Sequence, residues 1–230
     1  MNKIESFEKF KSLKEDYGFF EIEQLLGVCK KLKLAQQTVS VVIYNFYNAR
    51  FQLRVEADEI VFYSALIDLS CKMCEFMKPI EKIINLTAIT MHITLSSELI
   101  NDTYIKAVAE MELDILFYNK FDLEPPLVYD LLQKVYSQKL IESNLLKISW
   151  LFLSDLITFL PCTLFFTERE AVLSALFMTV LMENSRDFYS ESAFKTVRMD
   201  FVCKFEVKEE EMDQVDFLCD ELLKIYENIK

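Results

Sequence analysis

Glycine and proline are scarce in this chain, two of one and four of the other in 230 residues. A many-stranded protein needs such residues at nearly every chain reversal, so their shortage argues against a β-rich fold and for helices. Histidine occurs once, at His92, too few for a zinc site built on imidazoles or for a Ser/His/Asp set. A Gly-rich phosphate loop, an HExxH motif and an Asp-rich metal box are also missing, so neither an enzyme, a metal nor a cofactor is expected. Basic residues are outnumbered, 25 against 37 acidic, for a formal net charge of −12. A binder of phosphate backbones gathers lysine and arginine into a positive footprint, so direct nucleic-acid binding is not expected and partners should be proteins.

What is present is apolar. Hydrophobic residues make up 52% of the chain and aromatic residues 13%, enough for one large core or two smaller ones. The six cysteines, Cys29, Cys71, Cys74, Cys162, Cys203 and Cys219, lie in apolar segments without repeated spacing and read as reduced core residues of an intracellular protein. In SCKMCEF, residues 70–76, Cys71 and Cys74 have a C-x-x-C spacing, but a structural zinc site needs about four ligands and no second pair exists.

The N-terminal MNKIESFEKFKSLKEDY alternates charge with aromatic residues and has no apolar run of the signal-peptide kind. The one membrane-like stretch, ISWLFLSDLITFLPCTLFF over 148–166, carries Asp155 in mid-run and is broken by Pro161. A carboxylate at the centre of a bilayer costs several kcal/mol, so a buried core helix is expected there, not a membrane span.

A period of 3.6 runs through the chain. It predicts helices over about 3–17, ending at Gly18, then 20–32, 36–51, 58–76, 102–119 and 126–137. After a polar break at Ser137, Gln138 and Lys139 the pattern resumes over 141–160, 167–183, 189–204 and 208–229. Residues 77–101 form the one long irregular gap, holding Pro79, an apolar piece that suits a short helix, and His92. Two segments, VFYSALIDLSCKMCEF and REAVLSALFMTVLM, are apolar on nearly every face, and such a helix must be surrounded by others. The fold class is therefore all-α: two tandem five-helix bundles, each round a central buried helix, preceded by an N-terminal helix. The expected domains are 1–18 for that helix, 19–139 for the first bundle and 140–230 for the second.

Polar residues on apolar faces give the functional lead. Asp68, Lys72 and Glu75 fall three or four apart on the stripe that begins Val61, Ala65. In the helix 102–119, Ile105, Val108, Ala109, Ile115 and Leu116 make an apolar stripe with Glu112 at its centre, while Glu110 and Asp114 point the other way. A carboxylate so placed costs several kcal/mol unless it finds a cation or donors. Lys72 is a candidate, either as an internal structural bridge or as part of a rim that meets another protein.

Three blocks resemble the cyclin family. LKLAQQTVSVVIYNFYNARF (32–51) is similar to the first half of a cyclin box, LIDLSCKMCEF (66–76) to its L-x-x-K-x-x-E segment on the third helix, and AEMELDILFYNKFDLEPPLVYDLL (109–132) to its fourth and fifth helices. They occur in cyclin order and spacing, covering about 20–138 well and 140–230 more loosely. The resemblance implies that Lys72 and Glu112 form the pair that grips a partner kinase, with Glu75 and Phe76 beside them. Phe121 and Leu123 match the apolar residues that bury the kinase's mobile helix. The substrate-docking motif of cell-cycle cyclins has no counterpart in EIEQLLGVCKKL.

Phe76 and the run SDLITFLPCTLFFTEREAVLSALFM are most similar to the transcriptional cyclins, of the H type with the C type as near alternative. The function implied is a nuclear, non-enzymatic subunit that activates a cyclin-dependent kinase in transcription, of the CDK-activating kinase or general factor IIH kind. Room is left for a third assembly subunit. The alternatives are a Mediator-type cyclin C-like subunit, and a cyclin-fold initiation factor of the factor IIB kind, against which the acidic charge speaks.

Overall fold

The computed structural model describes residues 3, 7, 19–52, 58–122, 124–184 and 191–228, and among these every regular element is helical. Of the expected N-terminal helix, Lys3 and Phe7 are described and helical; its remaining residues, Gly18 included, lie outside the described set, as does Leu123. The chain divides into two compact units. One is Glu8–Pro126 and the other is Leu127–Lys230 together with Met1–Phe7.

In the unit Glu8–Pro126 the helices are α1 (Phe19–Leu32), α2 (Gln36–Gln52), α3 (Glu59–Met73), α4 (Ile80–Thr90) and α5 (Ile105–Tyr118). A short turn, Ser97–Leu99, and a π-helical turn, Ile100–Tyr104, lead straight into α5. The central rod is α3, buried without a break from Ile60 to Cys71 and packed on α2, α4 and α5. Asp58 starts it by accepting hydrogen bonds from the backbone N–H groups of Ile60 and Val61 at 2.8 and 3.3 Å, which satisfies donors that a helix start leaves without partners. Ser70 in the rod's interior is paired as well: Asn45 of α2 donates to Ser70 at 3.0 Å, and Ser70 donates to the Leu66 carbonyl at 2.6 Å.

The segment 77–101 holds the short helix expected in it, as α4, and is more regular than a gap because the turns Ser97–Leu99 and Ile100–Tyr104 follow. Pro79 opens α4, whose Ile83, Ile84, Thr87 and Ala88 are buried. Gly27 of α1 lets this pair of helices approach, since a Cβ there would stand 3.3 Å from the Thr90 methyl. Glu112 consequently lies on the fifth helix of its bundle, not the fourth. The third helix also ends earlier than 76. It stops at Met73, and Glu75 takes a left-handed φ of 54° beyond it, so Glu75 leaves the stripe that holds Asp68 and Lys72.

The second unit contains α6 (Val128–Ser137), α7 (Ser143–Phe159), the short α8 (Cys162–Phe165), α9 (Glu168–Asn184), α10 (Glu191–Phe205) and α11 (Glu209–Asn228). Its central rod is α9, buried from Glu170 to Thr179 and packed on α6, α7, α10 and α11. A reciprocal capping box starts α9: the Thr167 N–H donates to Glu170 at 2.7 Å and the Glu170 N–H to the Thr167 hydroxyl at 3.2 Å. Lys3 reaches the same buried carboxylate at 2.8 Å. Phe7 is buried among Phe165, Phe166 and Phe217, with centroids 5.5–5.9 Å away, a burial worth about 2–3 kcal/mol.

The chain divides between Pro126 and Leu127, ahead of the boundary the sequence suggests after Lys139. Val128, Tyr129 and Leu132 bury the face of α6 that packs on α7 and α9, and Tyr129 stacks on Trp150 at 4.6 Å. Among the described residues each unit thus has five long helices. The apolar run 148–166 is split at Pro161, and no helix among the described residues is long and apolar enough to cross a membrane.

Six of the reversals that follow helices use a left-handed residue other than glycine: Lys33, Glu75, His92, Lys120, Lys139 and Glu206. The hydrogen bonds are those of the Schellman motif. At His92, for instance, its own N–H reaches the Ile89 carbonyl at 3.2 Å and the Ile93 N–H reaches the Ala88 carbonyl at 2.8 Å. The shortage of glycine is met by strained residues, not by a lack of helix ends.

Candidate functional site

The packing of α3 on α5 brings Lys72, in the last turn of α3, against Glu112. The ammonium donates to both carboxylate oxygens, at 2.7 and 2.6 Å, and lies 2.9 Å from Asp68 one turn back. The Lys72 side chain keeps 41% of its surface in solvent, whereas Glu112 keeps 12% and Asp68 10%. The triad is therefore a rim: two carboxylates sunk between helices, with a cation above them in water. Burial pulls the Lys72 pKa down, but the hydrogen bonds to Glu112 and Asp68 and their charges outweigh it, and the net shift is upward.

The helix α5 and the chain just beyond α3 also expose large apolar side chains. Leu113 and Phe117, one turn apart on α5, are 61% and 71% exposed, and Tyr118 is exposed beside them. Phe76 and Met77, just beyond α3, are exposed too, and the Lys78 ammonium sits 4.3 Å from the Phe76 ring centre. Only Val108 and Ile115 of the expected α5 stripe are fully buried, and Ala109 is exposed. The helix thus carries a second, outward apolar face, and monomers seldom leave such a cluster to water without a partner for it.

A rigid turn extends the face. Lys120 and Phe121 both have left-handed φ, 54° and 56°, a costly conformation for a bulky residue and one that concentrates at binding sites. The turn is pinned from several sides: the Phe121 N–H donates to the Leu116 carbonyl at 2.8 Å and the Asp122 N–H to the Asn119 carbonyl at 3.0 Å. Asn48 of α2 donates to the Asn119 side chain at 2.9 Å. Burial and the charge of Asp122 together raise the pKa of Tyr44 on α2. As a result Phe121 projects outward, 59% exposed.

Of the six residues expected at the site, Lys72 and Glu112 are brought together, Phe76 and Phe121 are exposed large apolar side chains in the same unit, and Glu75 is exposed past the end of α3. Leu123 lies outside the described residues. Sequence reasoning missed Leu113 and Phe117, whose one signal was an apolar run continuing off the core stripe through Leu116, Phe117 and Tyr118. No group of three or more histidine, cysteine or acidic side chains suited to a metal occurs among the described residues.

This geometry can be set beside known proteins. No protein-family model matches the chain, and no curated protein matches its sequence. A solved structure does match: a chain in the crystal structure of the yeast RNA Pol II CTD kinase CTDK-1 complex, at 17% identity and a TM-score of 0.66, covering 92% of this chain and 75% of that one. The two chains share a fold. The match spans nearly the whole chain, so the likeness includes the second unit, where the sequence resemblance is looser.

Proposed function

We propose that this chain is the regulatory, non-catalytic subunit of a cyclin-dependent protein kinase acting in transcription in the nucleus. The observation that carries the reading is the Lys72–Glu112–Asp68 rim set among Leu113, Phe117 and Phe121. Charged grips beside exposed aromatic anchors suit a protein interface in which a few residues supply most of the binding energy. The kinase would be activated by population shift: a rigid helical surface that binds the active arrangement better holds the kinase's catalytic glutamate towards its ATP-binding lysine. The fold shared with a chain of a polymerase CTD kinase complex supports a transcriptional partner, and the H type is favoured over the C type by the sequence segments that resemble it. A third subunit is compatible with this assembly.

The test is affinity purification of the tagged full chain from extract of its own cells, with identification of the bound kinase and assay on the repeat tail of RNA polymerase II. A cyclin-dependent kinase that is active on the tail, or on activation loops of other kinases, is the expected result. Mediator subunits in the eluate would move the assignment to the C type. Salt-sensitive binding to duplex DNA with no kinase recovered would favour the initiation-factor reading and sink this one.

A further inference from the structure

Whereas Lys72, Glu112 and Phe121 belong to the unit Glu8–Pro126, a second site lies in the unit Leu127–Lys230. There a cavity of ≈ 360 Å³ opens between α6, the start of α9 and the end of α10, with Leu131, Val172 and Phe205 among its lining. Three cations also line it: Lys134, Arg169 and Lys204. On a chain with 12 more acidic than basic residues, their gathering round one cavity, against Glu206 as the single lining carboxylate, reverses the local balance.

Lys134 and Lys204 occupy the last turns of α6 and α10, where a helix favours positive charge. That accounts for their sign but not for their convergence from different helices. Both are exposed, and neither ammonium makes a hydrogen bond or ion pair with a described residue. Arg169, by contrast, is fixed: its Nε donates to Glu211 at 3.0 Å, and one Nη donates to the carbonyls of Phe205 and Glu206 at 3.0 and 3.2 Å. The cavity therefore combines apolar lining residues, one anchored cation and two exposed ammonium groups that no described carboxylate pairs, that of Lys204 standing 5.8 Å from the Phe205 ring centre.

We propose that this cavity docks a short acidic peptide segment of a partner protein, one large apolar side chain entering between Leu131, Val172 and Phe205 while flanking Asp or Glu residues meet Lys134 and Lys204. The volume suits one or two side chains. Separate carboxylates fit better than a single phosphate: Glu211 already neutralises Arg169, so the cations do not converge on one dianion, and the apolar lining needs a side chain to cover it.

Fluorescence anisotropy of the labelled peptide Gly-Glu-Asp-Phe-Asp-Glu-Gly, titrated with the full chain, tests this. Saturable, salt-sensitive binding is expected, weakened roughly tenfold or more by Lys134→Glu combined with Lys204→Glu and similarly by glycine in place of the peptide's phenylalanine. Because both lysines are exposed but sit at helix C-termini, the double reversal should lower the melting temperature only slightly; Lys204→Gln alone provides a milder variant that should shift affinity in the same direction. The proposal is overturned by absence of saturable binding, by affinity that the lysine variants or the phenylalanine replacement leave unchanged, or by displacement with inorganic phosphate as effective as with unlabelled peptide.

Discussion

Lys72 and Glu112, forty residues apart, are joined by hydrogen bonds to both carboxylate oxygens, and Asp68 shares the same ammonium from one helical turn away. The arrangement combines the two roles open to the pair from sequence. It is an internal bridge, because it ties α3 to α5, and it is a presented one, because the cation stands half in water above two sunken carboxylates. A partner that approaches it meets charges already in position, which reduces the ordering cost of binding.

The three groups are not equivalent, and alanine variants should show it. Glu112→Ala leaves Lys72 paired with Asp68 and hydrated, so the free chain should lose about 1 kcal/mol or less. Lys72→Ala leaves two mostly buried carboxylates facing one another without a cation, and should cost the free chain more, about 1–3 kcal/mol. Kinase affinity should fall for both, by roughly 2 kcal/mol or more. Thermal melting of the isolated variants, set beside their affinity for the purified kinase, reads both effects; a large loss of melting temperature with affinity intact would reduce the rim to architecture.

Phe121 offers a sharper separation, because binding should fall while stability does not. Its φ of 56° is strained for a bulky side chain, and its ring, 59% exposed, packs little in the free chain. Phe121→Gly should therefore leave the melting temperature unchanged or raise it, the relieved strain of about 1 kcal/mol being partly offset by glycine's freedom in the unfolded chain. The same change should weaken kinase binding by about 1–2 kcal/mol through loss of an anchor. Phe117→Ser should do likewise to affinity while changing stability by no more than about 0.5 kcal/mol. A clear drop in melting temperature for either variant would mean that the ring serves the fold.

How much of this was legible follows from particular residues. The Lys72–Glu112 pair could be read because each is a polar exception on an apolar stripe, and the two buried rods because they are apolar on every face. Helix α4 was legible only as a short apolar piece in an otherwise irregular gap, because Pro79 stands at its start and Thr87 and Thr90 break the pattern; in the fold their hydroxyls donate to the Ile83 and Leu86 carbonyls at 2.9 and 2.7 Å, which hides their polarity. Glu75 was placed on the stripe because a helix stop is sought as glycine, and here Glu75 itself takes the left-handed position. The outward face of Leu113 and Phe117 was missed because periodicity identifies apolar positions without telling a core from a surface that awaits a partner.

The glycine shortage yields its own prediction. His92 and Lys139 are exposed, left-handed and at the ends of helices in different units. His92→Gly and Lys139→Gly should each stabilise the chain by about 0.5–1 kcal/mol, the conformational cost for a side chain exceeding glycine's entropic cost. Because the cap hydrogen bonds at each site stay within its own helix end, the gains should add. Urea denaturation of both single variants and the double variant measures this, and a loss of stability in either single variant would contradict the strained-cap reading.

Alkaline pH should expose a last contact. The Tyr226 hydroxyl donates to Asp155 at 2.6 Å, joining α11 to α7, and this is where the carboxylate inside the apolar run 148–166 finds its donor. Burial first, then the hydrogen bond and the charge of Asp155, raise the Tyr226 pKa well above its ordinary value. The unfolded chain's tyrosine loses its proton near pH 10, whereas the folded one holds it to higher pH. The stabilisation is therefore fully present below about pH 10 and is lost as pH rises towards the folded value. Tyr226→Phe removes the donor and leaves Asp155 short of a partner, at a cost of about 1–2 kcal/mol near neutrality. It should also make the alkaline fall in stability shallower, by up to about one proton or 1.4 kcal/mol per pH unit, because one linked group is gone. Denaturant unfolding of parent and variant across neutral and alkaline pH separates the two effects: parallel curves would show that Tyr226 titrates alike in both states, and converging curves are the expected result.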